Sequence, residues 1–117
     1  MQIDLTEKVA LVTGSAKRVG RVIALELAKA GMNIMVHYHS SSDDAVRDTV
    51  QEIKSYGVDA FAVQADVSTE DGVEILFDAV AENFGKLHVL VNSASVFHQN
   101  RLMDVTLEAW QQSLAVN

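Results

Sequence analysis

The stretch T-G-S-A-K-R-V-G near the amino terminus has the residue types and spacing of a phosphate-binding turn. Gly14 allows a tight turn without a Cβ penalty, and Gly20 allows a following helix to lie close to the preceding strand. Ser15 offers a hydroxyl donor, and Lys17 and Arg18 add positive charge that suits a phosphate group. Taken alone, the stretch fits an ordinary strand-to-helix turn with surface Lys and Arg side chains equally well.

Polar residues at the end of the second apolar run strengthen the phosphate interpretation. Proteins that bind NAD usually present an acid at this position, where it holds the ribose hydroxyls. Here the run ends in H-Y-H-S-S-S, which places His39, Ser40 and Ser41 where the acid would be. An acid would repel a 2′-phosphate, whereas histidine and hydroxyl groups accept one, so the sequence predicts a preference for NADP(H). The alternative is a polar loop that caps the next helix through Ser42.

Charge and composition argue against several other classes of function. The chain has 117 residues, 49% of them hydrophobic, which is enough for one domain with a core. Its formal net charge of −7 argues against a nucleic-acid or anionic-membrane surface. The sequence has no cysteine, so it offers no thiolate metal site, and we predict no metal. It shows no signal peptide and no membrane span, and we expect a cytoplasmic protein.

The elements that position these residues alternate between strands and helices. Apolar runs predict four strands, at Lys8–Thr13, Asn33–His37, Ala60–Ala65 and Leu87–Asn92. Helical periodicity predicts helices at Val19–Ala30, from Ser42 to Gly57, from Ser68 or Thr69 to Gly85, and after Thr106. Such alternation is typical of a parallel α/β sheet, whose right-handed crossovers place the turn at the carboxyl edge of the first strand. We therefore predict an α/β, Rossmann-type doubly wound parallel sheet of order 3-2-1-4, incomplete with about four strands.

Three motifs together resemble the short-chain dehydrogenase/reductase family, and their spacing matches over the whole chain. They are Thr13–Gly20, Ala65-Asp66-Val67 after the third strand and Val91-Asn92-Ser93-Ala94-Ser95 after the fourth. Within the family, the arginine in T-G-x-x-x-R-x-G, the H-Y-H run and N-x-A-S-x-F resemble the pteridine reductase branch. The resemblance implies that Arg18 reaches both the cofactor pyrophosphate and the substrate pocket.

The resemblance also implies roles for other individual residues. The implied cofactor-binding residues are Gly14, Ser15, Lys17, Arg18, Val19, Gly20, His39, Ser40, Ser41, Asp66, Val67, Asn92, Ala94 and Ser95. The implied substrate-binding residues are Arg18, Ser95 and Phe97. Asn117 matches the catalytic asparagine of the family, which would hold a water in the proton relay.

Several of these residues have a simpler structural interpretation. By the resemblance Asp66 accepts a hydrogen bond from the adenine amino group, but an aspartate here can also simply start the next turn. The Phe97 ring would stack on a flat heterocycle, or it belongs to the core. His88 lies within an apolar strand, so we expect it to be packed rather than catalytic. Ser93 stands where the family pattern has an asparagine, which puts one structural hydrogen bond in question.

The chain is predicted to be the NADP-binding half of a single Rossmann domain, residues 1–117, with the C-terminal catalytic half absent. The family uses a Y-x-x-x-K motif, and neither Tyr38 nor Tyr56 is followed by a lysine four residues later. In the intact enzyme, hydride would pass from NADP(H) to a carbonyl or a pterin-like C=N group. We expect a small-molecule substrate, a homo-oligomer in the intact enzyme, and neither nucleic acid nor membrane as a partner. A 3-oxoacyl or sugar-alcohol substrate, and a stand-alone nucleotide-binding or regulatory module, are the alternatives.

Overall fold

The structure, a computed structural model, describes residues 4–93. Strands and helices alternate along this part of the chain. The strands are β1 (Val9–Thr13), β2 (Asn33–Tyr38), β3 (Ala60–Gln64) and β4 (Val89–Asn92). The helices are α1 (Arg18–Lys29), α2 (Asp43–Lys54) and α3 (Glu70–Asn83). The predicted helix after Thr106 lies outside the described residues.

The four strands form one parallel sheet in the order β3-β2-β1-β4. Val12 of β1 lies opposite Val36 of β2 on one side and Val91 of β4 on the other. The predicted fold class and strand order are therefore confirmed. Because all strands are parallel, their carboxyl ends meet at a single edge of the sheet.

Both faces of the sheet are covered by helices, which explains why the central strands are mostly apolar. One face packs against α3 in a cluster that includes Val9 and Leu11 of β1. The other face packs against α1 and α2 in a cluster that includes Ala10 and Val12. All five residues of β1 are buried as a result. The edge strand β4 is half-buried along its length.

Side-chain caps fix the starts of two helices. The Ser42 hydroxyl accepts a hydrogen bond from Ala45 N at 3.2 Å and caps α2, as predicted. The Thr69 hydroxyl accepts from Gly72 N at 2.9 Å, so Thr69 and not Ser68 caps α3. Acidic residues occupy the first turn of both helices, where they interact favourably with the helix dipole.

Small differences from the predicted elements occur at their ends. Helix α1 begins one residue earlier than predicted, and β2 extends by one residue to Tyr38. Strand β4 begins at Val89, so His88 precedes it and is exposed rather than packed. Within residues 4–93, no helix is long and apolar enough to cross a bilayer.

Candidate functional site

The predicted site residues that the structure describes converge at the carboxyl edge of the sheet. The turn after β1 contacts β2, because Ser15 N donates to His37 O at 2.9 Å. It also lies beside the end of β4, because the Thr13 hydroxyl donates to Asn92 Oδ1 at 3.0 Å. The fold therefore brings the first and last described motifs together across about 80 residues of sequence.

Helix α1 begins differently from the other two described helices. Its N-cap residue, Lys17, makes no side-chain cap, and its first turn contains no acid. The side chains of Lys17 and Arg18 are exposed, and neither is bonded to another residue within 4–93. The first N–H groups of a helix have no intrahelical partner, and the helix dipole adds positive potential there. The start of α1 is thus equipped to bind an anion.

Two glycines allow the turn, α1 and β4 to pack closely. Gly14 adopts a left-handed backbone with φ of 63°. A Cβ atom at Gly20 would overlap Gly14 O and would lie 2.5 Å from Ser93 Oγ. Since backbone atoms cannot move aside easily, only glycine fits at position 20.

Arg18 also occupies a left-handed backbone conformation, with φ of 58°. This region disfavours residues with a Cβ atom by roughly 1–2 kcal/mol, and glycine occupies it without that cost. Glycine, which many phosphate-binding turns contain, would adopt this backbone conformation without strain. The chain therefore accepts local strain in placing an arginine side chain at the start of α1.

His37 connects the turn to the neighbouring strands, a role that the sequence did not reveal. Its side chain is buried, with 2% of the residue exposed. Gly14 N donates to His37 Nδ1 at 2.9 Å, and His37 Nε2 lies 2.8 Å from Ala65 O. Burial lowers the pKa of His37, an effect opposed by the hydrogen bond to Ala65 and aided by His39. A polar residue within an otherwise buried apolar strand was the available sequence signal.

Ser15 is part of the same network and not of the open surface of the turn. The residue is fully buried, and its hydroxyl accepts a hydrogen bond from His37 N at 3.1 Å. The sequence suggested this hydroxyl as a donor to phosphate. The structure instead places it between the turn and β2, where it supports the shape of the turn.

A second network holds the turn from the side of α2, and it too was missed. The buried Thr49 hydroxyl lies 3.1 Å from Ala16 O and 2.9 Å from Ala45 O, so its single hydrogen is shared between two acceptors. It also accepts from Arg21 Nε at 3.3 Å. The Arg21 guanidinium forms an ion pair with Glu52 of α2. Threonine and arginine at helical positions give no sequence signal for such a contact.

The end of β2 lies open beside the loop that follows β3. His39 and Ser40 are exposed and Ser41 is half-buried. Gln64 of β3 donates through Nε2 to His39 O at 2.9 Å. No acid follows β2 before α2 begins with Asp43, so the side chains at this strand end are neutral or basic.

Asp66 begins a turn, as the simpler interpretation of this residue proposed. Its Oδ1 accepts from Ser68 N at 3.0 Å and from the Ser68 hydroxyl at 2.6 Å. These hydrogen bonds, with a smaller contribution from nearby His39, lower the pKa of Asp66. The carboxylate is exposed and charged at neutral pH, whereas Val67 is buried in the core.

Ser93 makes the connection to β1 that its replacement of an asparagine had put in question. Its hydroxyl donates to Thr13 O, and its backbone N donates to Thr13 Oγ1 at 2.9 Å. A serine at this position therefore makes hydrogen bonds to the adjacent strand directly. Four of the predicted site residues lie outside the described residues: Ala94, Ser95, Phe97 and Asn117. Among residues 4–93, no group of three His, Cys, Asp or Glu side chains could hold a metal ion.

Together, the strand order, the glycine turn and the uncapped start of α1 define a Rossmann-type α/β domain. The family model for short chain dehydrogenases matches residues 8–117. The chain belongs to this family.

Curated relatives support the family assignment, and their names refer to two different substrates. Glucose 1-dehydrogenase 2 of Bacillus subtilis is 43% identical over 119 residues, covering all of this chain and 45% of the relative. The 3-oxoacyl-(acyl-carrier-protein) reductase FabG of Staphylococcus aureus is 43% identical over 110 residues, covering 94% of this chain and 44% of the relative. The chain thus spans less than half the length of these relatives. These matches establish the family but not the pteridine reductase branch within it.

Solved structures share the fold with nicotinamide cofactors bound. L-sorbose reductase from Gluconobacter frateurii, in complex with NADPH and L-sorbose, superposes with a TM-score of 0.73 at 32% identity. That match covers 80% of this chain and 36% of the reductase. A Burkholderia cenocepacia chain described as a dehydrogenase with bound NADP has a TM-score of 0.73 at 36% identity, covering 76% of this chain and 34% of the other.

Proposed function

We propose that this chain is the NADP(H)-binding half of a short-chain oxidoreductase that transfers hydride to a carbonyl or a pterin-like C=N group. The observation that most supports this proposal is the start of α1, which has no side-chain cap and no acid in its first turn, with Lys17 and Arg18 exposed there. The residues at this edge fit a dinucleotide, since Gly20 lets α1 start close against the turn and the first N–H groups of α1 have no side-chain cap. We propose that the catalytic half of the domain lies outside these residues, since the chain covers less than half of the relatives' length.

The phosphate groups of the cofactor would be held at the start of α1. The free N–H groups of the first helical turn, near Arg18 and Val19, supply neutral donors, and Lys17 and Arg18 supply charge. A hydrogen bond to a charged group contributes about 1.5–3 kcal/mol, less when it is exposed to water. Ser15 supports the turn from behind, consistent with its burial.

The end of β2 would select NADP(H) over NAD(H). His39, Ser40 and Ser41 offer a ring N–H and two hydroxyls to a 2′-phosphate, and no acid is present there to repel it. Asp66 would accept from the adenine amino group. Its Oδ1 is used by Ser68, which orients the carboxylate while leaving Oδ2 available. The Val67 backbone would lie beside the adenine.

The residues near β4 would line the nicotinamide side of the site. Asn92 is held in place by Thr13, and we propose that it lines the ribose side with Ala94 and Ser95. When bound, the nicotinamide supplies the hydride, and the protein supplies orientation and proton delivery. Asn117 would hold a water of the proton relay.

Two substrate classes remain candidates, and a different observation favours each. Arg18, the H-Y-H run and Phe97 favour a pterin-like ring, on which the phenyl group would stack while the guanidinium contacts its polar edge. The names of the 43%-identical relatives favour the carbonyl of a 3-oxoacyl thioester or a sugar. We also propose that the intact enzyme is cytoplasmic and forms a homo-oligomer.

The first test is a fluorescence titration of the chain with NADPH and NADH, together with the variant His39→Asp. We expect the wild-type chain to bind NADPH more tightly than NADH. His39→Asp reverses or removes this preference, because a carboxylate repels the 2′-phosphate and accepts from ribose hydroxyls. His88→Asp, at the opposite edge of the sheet, is the control and leaves the ratio unchanged.

Two results would contradict the proposal. A folded chain that binds neither nucleotide would remove the cofactor function. An NADPH-to-NADH ratio that His39→Asp leaves unaltered would mean that β2 does not read the phosphate. A third result would favour the alternative of a regulatory module: NADPH binding without reductase activity, both in this chain and in a longer protein that contains it.

A further inference from the structure

His37 uses every polar atom of its backbone and side chain to join the turn after β1 to the strands beside it. Its backbone N donates to Ser15 Oγ, and its backbone O accepts from Ser15 N. The ring joins Gly14 N to Ala65 O, at 2.9 and 2.8 Å. Ala65 directly precedes Asp66, so one imidazole lies between the phosphate-binding turn and the loop proposed to bind adenine.

The hydrogen bonds define the state of the ring. Gly14 N–H is a donor, so Nδ1 must be unprotonated to accept from it. Ala65 O is an acceptor, so Nε2 must carry the hydrogen. Only the neutral Nε2–H tautomer satisfies both contacts. Burial favours this neutral form because it lowers the pKa of His37.

The same contacts assign the amide groups of the turn. The amides of Gly14 and Ser15 both donate to His37, one to the ring and one to the backbone O. They are therefore directed toward β2 and are not free for a ligand. The amides that remain available to bind phosphate are those at the start of α1, around Arg18. The position of these amides depends on the direction that the backbone takes after Gly14.

We propose that His37 is a positioning residue, whose neutral imidazole fixes the distance between the phosphate-binding start of α1 and the adenine-binding loop at Asp66. The proposal rests on the proposed NADP(H) function, because it concerns a ligand that must contact both places at once. A ligand that contacts only the adenine end does not depend on this distance.

The test compares two conservative variants of His37. In His37→Asn, the amide Oδ1 replaces Nδ1 and keeps an acceptor for Gly14 N, but the contact with Ala65 O is lost. In His37→Gln, the amide Nε2 replaces the ring Nε2 and keeps the donor to Ala65 O, but Gly14 N loses its acceptor. His88→Asn is the matched control, since His88 Nδ1 accepts from Val9 N at the other end of β1.

Binding is measured with NADPH, which spans both places, and with 2′-AMP, which carries only the adenine and 2′-phosphate. We expect both His37 variants to weaken NADPH binding at least tenfold, and His37→Gln more than His37→Asn. Binding of 2′-AMP should change less than twofold. A role in stability alone would instead change both ligands equally, or neither once the variant is folded. Either of these results overturns the proposal, as does an equal NADPH loss in His88→Asn.

Amide hydrogen exchange at Gly14 separates this proposal from the proposed function and needs no ligand. Exchange should be slow in the wild-type chain and in His37→Asn, and at least tenfold faster in His37→Gln. Rapid exchange at Gly14 in the wild-type chain overturns the role of His37 even if NADPH binds. Failure of the wild-type chain to bind NADPH, with slow exchange at Gly14, overturns the cofactor function and leaves the His37 bridge supported.

Discussion

The two ends of β1 carry the same hydrogen bond in different surroundings. At the carboxyl end, Gly14 N donates to His37 Nδ1 at 2.9 Å, and at the amino end Val9 N donates to His88 Nδ1 at 3.0 Å. His37 is buried and its other ring nitrogen contacts Ala65 O, whereas His88 is exposed. In both places a histidine side chain accepts a hydrogen bond from a backbone N–H at an end of β1. Only at the carboxyl end does the same side chain also contact a third chain segment, the loop at Ala65.

Other features are also paired across β1. The two described non-glycine residues with a left-handed backbone are Arg18, with φ of 58°, and Glu7, with φ of 65°. Gly20 and Gly31 both lie in close contact with another segment, Gly31 against Thr6. Strain and close packing therefore occur at both ends, and they do not identify a site by themselves. The carboxyl end differs because a helix start and parallel strand ends converge there, leaving donors available for a ligand.

The largest expected difference between the two ends comes from the glycines. Gly20→Ala places a Cβ against Gly14 O and Ser93 Oγ, and we expect it to lower the free energy of unfolding by about 3 kcal/mol, the upper part of the usual range for overpacking. Gly31→Ala should cost about 1–2 kcal/mol, because its φ of 100° is unfavourable for alanine. Urea unfolding and NADPH titration measure both effects.

The two glycine variants should also differ in NADPH binding. Gly20→Ala should abolish NADPH binding under conditions in which the chain is still folded, whereas folded Gly31→Ala should bind as the wild-type chain does. Equal loss of NADPH binding in both variants would show that the amino end also supports the site.

The left-handed residues give the next largest difference. Arg18→Gly removes the guanidinium but relieves the backbone strain, so we expect NADPH binding to weaken by about 1.5 kcal/mol, the low end for a charged hydrogen bond at an exposed position. The free energy of unfolding should change by less than about 1 kcal/mol, because relief of strain is offset by the greater freedom of glycine in the unfolded chain. Glu7→Gly should alter stability similarly and NADPH binding not at all. An Arg18→Gly chain with wild-type affinity would return Arg18 to the role of a surface residue.

Local sequence patterns predicted the fold well because the relevant interactions are local. The alternation of strands and helices follows from periodicity, and the caps at Ser42 and Thr69 bond to residues three positions away. Strand order followed from the handedness of parallel crossovers. The carboxyl edge was therefore predictable as the place where the site residues meet.

The internal support of the site was not predictable in the same way. Ser15 and His37 are 22 residues apart, and Ser93 reaches Thr13 across 80 residues. Such bonds depend on the register between strands, which a single sequence does not specify. For this reason the sequence suggested Ser15 as a ligand donor, gave His37 no role and questioned the Ser93 bond, although all three make hydrogen bonds to residues 13–15 or within them.

The smallest expected effect separates the two histidines by pH. Burial lowers the pKa of His37 below its ordinary value of 6.5, so below this pH the unfolded chain binds a proton that the folded chain does not. The contribution of His37 to stability is thus complete above about pH 6.5, and it is lost as pH falls, with a slope of at most about 1.4 kcal/mol per pH unit. Urea unfolding between pH 7.5 and about 5.5, above the range in which carboxylates titrate, measures this slope.

The salt dependence and two substitutions test which histidine causes this dependence of the free energy of unfolding on pH. The pKa of His88 is also lowered, first by partial desolvation and then by Lys8 and Lys86, but His88 is exposed and the effect of the two lysines is screened by salt. The acid slope should persist at high ionic strength and in His88→Asn, and it should largely disappear in His37→Asn. His39, whose charge also opposes protonation of His37, is kept in every variant, so its effect is common to all. A slope that His37→Asn leaves intact would mean that the buried imidazole is not the group that titrates, and that the two ends of β1 differ in exposure but not in their response to acid.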